Sequence, residues 1–158
     1  MQMGWKLYDH GLNAPCDGPQ KWQRALFKPF TYSKVQLWRG EPLAKKHILL
    51  LGEQGIGDTM AFISLIDKVV KQAQEVSVVV PLRLHKIYER SLPTCKILSD
   101  KNVRDNPLNE CDYDYQCPLG SIVQYTYENL GDFKSRYFKL ESNQINKNSL
   151  SQKYRKIF

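Results

Sequence analysis

The spacing of apolar residues changes abruptly near residue 52. A continuous apolar run, HILLL at 47–51, leads into the glycine-containing string GEQGIGDT at 52–59. Apolar residues then recur three and four positions apart, at Phe62, Leu65, Ile66, Val69 and Val70. A continuous run is typical of a strand covered on both faces, and the later spacing is typical of a helix with one buried face. The pattern predicts a strand, a glycine-rich turn and a helix from about residue 58 to 72.

Strand and helix patterns continue to alternate beyond this unit. The run VSVVV at 76–80 is β-branched and stops at Pro81, so it predicts a second buried strand. The remaining predictions are a helix at 82–92, a strand at 95–98, a polar loop at 102–112, a strand at 113–117 and a helix from 119. This alternation predicts an α/β fold, a Rossmann-like three-layer domain with a mainly parallel sheet.

Composition divides the chain into three segments. Residues 1–46 mix seven aromatic residues with four prolines, which argues against regular structure and predicts an aromatic-rich arm packed on the domain by its rings. Residues 47–140 carry the Rossmann-like domain. Residues 141–158 form a basic tail or linker, and from 134 onward there are seven basic residues against one acid. Because this region lacks dense arginine and interleaved aromatics, a solvated tail is favoured over a nucleic-acid-binding surface.

Bulk properties limit the classes of protein. The 158 residues suit one domain, and a net charge of +7 resides almost entirely near the carboxyl terminus. No apolar run approaches the roughly 20 residues that span a bilayer, and the first residues do not resemble a signal peptide, so a cytoplasmic location is expected. The four cysteines show no paired spacing, which favours reduced thiols and no metal site.

The glycine-rich turn is the strongest candidate for a site. In parallel sheets, ligands collect where the carboxyl end of a strand meets the following helix. Asp58 lies at that corner, where its spacing alone favours a helix cap over a role in binding or catalysis. Gly55 and Gly57 are predicted to form the site, whereas Gly52 is expected to need a positive φ.

The polar residues of the turn have two readings each. Glu53 and Gln54 are expected on its exposed side, either contacting a ligand or simply solvated, and Thr59 is assigned to the pocket floor. The turn is not GxGxxG and lacks a Walker lysine, so no nucleotide fingerprint is present. Asp112 and Asp114 are expected to be capping or solvated residues, and the histidines are expected to be structural.

Several motifs of the chain carry a resemblance to a known family. These are Gly4-Trp5 near the start, WRGEPL at 38–43, HILLLGEQGIGDTMAFISLI from 47, and YDYQCPL at 113–119. Together they resemble the glycosyltransferase-like region that follows tetratricopeptide repeats in many bacterial proteins. That region is related to the heptosyltransferases of glycosyltransferase family nine. The match covers most of residues 4–140, and the EQGxGDT string is its most specific part.

The resemblance implies the amino-terminal half of a GT-B enzyme, in which two Rossmann-like domains face each other across a cleft. The implied function is the acceptor-side domain of an inverting, nucleotide-sugar-dependent glycosyltransferase, with a sugar or glycan as acceptor. Asp58 matches the family's general base, with Glu53, Gln54, Gly55, Gly57 and Thr59 as substrate-binding residues. The chain lacks the donor-binding half, so it is expected to be inactive alone and to hold no cofactor. The alternative is a non-catalytic Rossmann-like module that self-associates, most simply as a homodimer.

Overall fold

A computed structural model of the protein describes residues 2–13, 34–53 and 55–127. The sheet has five strands, β1 (Gln36–Leu37), β2 (His47–Leu51), β3 (Glu75–Val80), β4 (Lys96–Ser99) and β5 (Tyr115–Pro118). The helices are α1 (Gln2–Asn13), α2 (Ile56–Ile63), α3 (Asp67–Gln72), α4 (Leu82–Ser91), α5 (Asp100–Asp105) and α6 (Ile122–Thr126). Short 3-10 turns cover Glu110–Asp112 and Leu119–Ser121.

All strand pairs are parallel, and the order across the sheet is β1-β5-β2-β3-β4. The chain therefore moves outward from β2 through β3 to β4 and then returns to insert β5 beside β2. In register, Leu51 at the end of β2 lies opposite Val79 on one side and Pro118 on the other. This arrangement brings the segments that follow β2 and β5 to the same edge of the sheet.

Two apolar layers cover the sheet. On one face, Ile48 and Leu50 of β2 pack with residues of α2, α3, α4 and α6. On the other face, Leu49 and Leu51 pack with Val103 of α5 and with Tyr113. The alternation follows from the two-residue period of a strand, which sends successive side chains to opposite faces. The protein is thus an α/β, Rossmann-like three-layer domain, as the sequence predicts.

Several elements differ from the prediction. The expected single helix at 58–72 is two helices, because a turn at residues 64–66 separates α2 from α3. The polar segment expected to be a loop contains α5, whose first residue follows a Ser99 cap that accepts a hydrogen bond from the Asn102 N–H. The prediction of a continuous loop at 102–112 is therefore wrong.

The predicted aromatic arm contains regular structure. Residues 2–13 form α1, and Gln36–Leu37 pair with β5 at one end of the sheet. The prediction that residues 1–46 lack regular structure is therefore wrong. The domain boundary at 46 stays a prediction. Helix α1 packs on α2 through Trp5 and Tyr8, whose ring centroids lie 6.2 and 5.7 Å from that of Phe62. The basic tail at 141–158 lies outside the described residues.

Candidate functional site

The candidate site starts where β2 ends, at Gly52. The Gly52 N–H donates a 2.8 Å hydrogen bond to the Val79 carbonyl, which continues the parallel ladder by one residue. A Cβ on Gly52 would lie 2.7 Å from that same carbonyl oxygen. A side chain here would force backbone to move, since the carbonyl cannot rotate away. The glycine is needed for this close approach and not for a positive φ, which corrects the prediction for Gly52; within the described ranges the only glycine with positive φ is Gly40.

A single hydroxyl closes the segment that we call the site turn, which comprises residues 52, 53 and 55–58. Thr59 Oγ1 accepts a hydrogen bond from the Glu53 N–H and donates one to the Glu53 carbonyl, both at 3.1 Å. The Thr59 side chain is fully buried by this arrangement. It therefore stabilises the turn from beneath, and its contact with substrate stays a prediction.

The Glu53 side chain points into the protein. Glu53 is 1% exposed, and its Oε1 accepts a 2.7 Å hydrogen bond from the Gly120 N–H at the end of β5. The expectation that Glu53 lies on the exposed side of the turn is therefore wrong. The cause is β5, which enters beside β2 and places the 3-10 turn at Leu119–Ser121 over the residue. Gln54 lies outside the described residues, so its substrate contact stays a prediction.

Asp58 has the opposite environment. It is the third residue of α2 and is exposed, while the residue that caps the helix is Gly55, with no side-chain hydrogen bond to the helix start. Among the parts of the chain that the structure describes, no group hydrogen-bonds or pairs with the Asp58 carboxylate. Asp58 is therefore not the N-cap of α2, in contrast to the capping interpretation. The carboxylate still lies in the first turn of the helix, where the partial positive charge favours an anion.

The glycines of the site turn fit around this carboxylate. A Cβ on Gly55 would lie 2.5 Å from Asp58 Oδ2, so the carboxylate leans back over Gly55. A Cβ on Gly57 would meet nothing within 4 Å. Gly55 thus leaves room for the Asp58 side chain, and Gly57 faces open space next to it. The structure brings together Asp58, Gly55 and Gly57, and it places Glu53 and Thr59 below them.

Helix α1 contacts α2 at Phe62. Asp58 and Phe62 are four residues apart and share a face of the helix. Phe62 contacts the rings of Trp5 and Tyr8, as described above. Farther along α1, the Asp9 carboxylate accepts hydrogen bonds from Ser121 Oγ (2.7 Å) and Gln124 Nε2. The sequence gives little sign of these contacts, although the Pro118-Leu119-Gly120 string marks a turn at the correct edge.

The polar residues at the amino edge of the sheet pair with one another. We call Lys46, His47, Ser77, Tyr113 and Asp114 the amino-edge cluster. Asp114 accepts hydrogen bonds from Lys46 Nζ (2.7 Å) and from the His47 N–H (2.8 Å). These two donors, the Lys46 side chain first, lower the pKa of Asp114, and the hydrogen bond to Asp114 raises the pKa of Lys46.

His47 completes the amino-edge cluster. Its ring lies 4.4 Å from that of Tyr113, and its Nε2 lies 2.9 Å from Ser77 Oγ. These contacts give His47 and Asp114 structural roles, at the edge of the sheet opposite Asp58.

Residues 2–13, 34–53 and 55–127 contain no group of three or more His, Cys, Asp or Glu side chains placed to hold a metal ion. In the same part of the chain, no helix has the length and apolar character needed to cross a membrane.

Comparison of the chain with protein-family models, with curated proteins and with solved structures finds no match.

Proposed function

We propose that this protein is the acceptor-side domain of an inverting, nucleotide-sugar-dependent glycosyltransferase, with Asp58 as the general base. The observation that carries the proposal is the state of the Asp58 carboxylate. It is exposed at the carboxyl edge of a parallel sheet, the usual place for a ligand, and has no structural partner among the described residues. Because the Asp58 carboxylate makes no hydrogen bond or ion pair within the described residues and adjoins Gly57, which faces open space, it is suited to contact a ligand.

The proposed chemistry uses the carboxylate to accept one proton. An acceptor hydroxyl attacks the anomeric carbon of the donor sugar, the bond to the nucleotide phosphate breaks, and the configuration inverts. Asp58 takes the hydroxyl proton as the new glycosidic bond forms. Proton transfer by a correctly placed side chain contributes about 10²- to 10⁴-fold in rate. Transfer of a hexosyl or heptosyl group also requires a donor-binding domain, so the chain alone is proposed to bind acceptor without turnover.

The environment of each residue indicates which side chains line the proposed acceptor pocket. Gly55 and Gly57 supply a floor that lets a sugar approach the backbone closely. Glu53 and Thr59 belong to the support below the floor, and Glu53 does not touch the acceptor. The half-buried rings of Trp5 and Tyr8 contact Phe62, which lies one turn of α2 beyond Asp58.

The first test is acceptor binding by the chain itself. Glucose, galactose, mannose, N-acetylglucosamine and lactose are titrated separately into the ¹⁵N-labelled protein while amide shifts are followed by NMR. We expect at least one sugar to shift the Gly55, Gly57 and Asp58 amides together, and Asp58→Asn to weaken that binding at least tenfold. Asp67→Asn is the matched control, because Asp67 also lies in the first turn of a helix but pairs with Lys71 at 2.9 Å.

The binding proposal fails if none of the sugars produces shifts localised to the site turn. It also fails if Asp58→Asn and Asp67→Asn bind equally well. In a two-domain chain that joins these residues to a nucleotide-sugar-binding domain, Asp58→Asn should abolish transfer while the protein stays folded. Wild-type turnover by that variant would contradict the assignment of the base.

A self-associating module without catalysis is the second candidate, and exposed apolar side chains favour it. Ile56 and Met60, one turn apart on α2, are 40% and 41% exposed, and Leu82 at the start of α4 is 51% exposed. Exposed apolar groups of this kind mark interfaces when they are contiguous. Light scattering at increasing concentration distinguishes the two candidates, because a dimer that Met60→Ser converts to a monomer supports the module.

A further inference from the structure

Glu53 is a buried acid directly beneath the exposed acid of the site turn. Its side chain is 1% exposed, and both its own backbone and that of Gly52 are hydrogen-bonded. On one side, Gly52 is hydrogen-bonded to Val79 and has no room for a Cβ. On the other, Thr59 holds both the N–H and the carbonyl of Glu53. A side chain that is held this closely sets the path of the residues around it.

We propose that Glu53 is the positioning residue of the site, a role that rests on the proposed function of Asp58. Its carboxyl group ties the site turn to the end of β5 through the Gly120 N–H. Its backbone ties the same turn to Thr59, the residue next to Asp58. Glu53 thereby fixes where the Asp58 carboxylate lies, without contacting a ligand itself.

Gly120, whose N–H donates to the Glu53 carboxylate, is itself held in place. Gly120 is buried within the 3-10 turn Leu119–Ser121, and the next residue, Ser121, donates a hydrogen bond to Asp9 of α1. The hydrogen bonds therefore run from α1 through the end of β5 to Glu53 and then to Thr59. A buried acceptor in such a chain leaves a donor unsatisfied when it is removed, which forces nearby backbone to move or to bind water.

The test measures the position of the Asp58 β-carbon relative to Gly55 without any ligand. A Cβ on Gly55 would lie 3.9 Å from Asp58 Cβ, so the Gly55 α-proton in that direction gives an NOE to the Asp58 β-protons. In Glu53→Leu, which keeps similar bulk and removes the acceptor, we expect this NOE to fall at least threefold. Hydrogen exchange at the Gly120 amide should become at least tenfold faster. Glu53→Gln, which keeps a carbonyl oxygen for Gly120, should restore both to near wild type.

Two further variants keep the test decisive. Val103→Ala truncates a buried side chain on the opposite face of the sheet and should lower stability while leaving the NOE unchanged. Thr59→Val is nearly isosteric and removes only the two hydrogen bonds between the Thr59 hydroxyl and the Glu53 backbone, so it should also weaken the NOE. This variant provides the test if Glu53→Leu does not fold. Any folded Glu53→Leu or Thr59→Val protein that keeps the full NOE overturns the proposal, as does a Val103→Ala protein that loses it.

These readouts separate the two proposals. The NOE and the exchange rate need no sugar, so they report on Glu53 even if no acceptor binds. If the NOE depends on Glu53 but no sugar shifts the site turn, the positioning role stands and the glycosyltransferase proposal fails. If sugars bind through Asp58 while the Glu53→Leu protein keeps the NOE, the reverse holds.

Discussion

At the amino edge of the sheet, Asp114 is held by Lys46 and by the backbone of His47, whereas at the carboxyl edge Asp58 is exposed beside a glycine and has no partner in the described part of the chain. Both residues are exposed aspartates. The difference shows that the partner of an acid, and not its type or neighbours in sequence, separates a structural carboxylate from a candidate functional one.

The largest expected effect concerns the strand that connects the two edges. Leu50 lies within β2 and is fully buried, so Leu50→Ala should lower the free energy of unfolding by about 2–5 kcal/mol. Because both edges depend on β2, amide exchange at Asp114 and at Thr59 should accelerate together. Chemical denaturation and hydrogen exchange measure these quantities. Acceleration at one edge alone would mean that the two edges do not unfold as one unit.

The second prediction concerns backbone space at the carboxyl edge. Gly52→Ala places a Cβ 2.7 Å from the Val79 carbonyl and should cost about 1–3 kcal/mol of stability, as overpacking usually does. Gly57→Ala is the matched control, because its Cβ would meet nothing within 4 Å and the residue is helical. That variant should change stability by less than about 1 kcal/mol, with a gain more expected than a loss. Equal melting temperatures for the two variants would contradict this account of the turn.

The third prediction concerns the amino edge and its dependence on pH. Asp114→Asn should lower stability at pH 7 by about 1 kcal/mol, since it weakens an exposed ion pair and one backbone hydrogen bond. The pKa of Asp114 is lowered in the folded state, so its contribution is complete above its ordinary value of 3.8 and disappears as the pH falls through the folded value.

The raised pKa of Lys46 limits the same contribution at high pH. It is complete below the ordinary value of 10.5 and is lost as the pH rises through the folded value. The stability difference between wild type and Asp114→Asn should therefore be constant from about pH 5 to 9 and shrink on either side. Denaturation midpoints measured across pH test this, and a difference that grows below pH 4 would be the contrary result.

The smallest expected effect is on the stability of the Asp58 variant. Asp58→Asn removes no hydrogen bond within the described residues, so the free energy of unfolding should change by less than about 0.5 kcal/mol. Compared with Asp114→Asn in the same buffer, it should be the more stable protein. A loss as large as that of Asp114→Asn would show that Asp58 has a structural partner after all.

The strands next to the site were predictable because their signals are local. The run at 47–51 corresponds to β2 without change, and the run at 76–80 differs from β3 by one residue. The break between α2 and α3 was missed because apolar spacing continues through Leu65 and Ile66 across the turn. Helix α5 was missed because its residues are polar and Pro107 follows closely, so little marked it apart from its Ser99 cap.

The site was predictable only in part, for a physical reason. Asp58, Gly55 and Gly57 can be placed from the strand, turn and helix that contain them. The burial of Glu53 depends on Gly120, which is 67 residues away and comes beside it only when β5 inserts next to β2. A polar residue just after a strand is expected in solvent, and no local pattern indicates that a later strand will cover it.

The insertion of β5 between β1 and β2 also affects how the protein is made. While a ribosome is still synthesising the residues before Tyr115, one side of β2 has no neighbour, and its unpaired N–H and C=O groups can recruit another strand. Glu53 has no Gly120 to bind during that interval. Until β5 emerges, the nascent chain therefore exposes the unpaired edge of β2. Aggregation through this edge is the event that a chaperone would prevent at this stage.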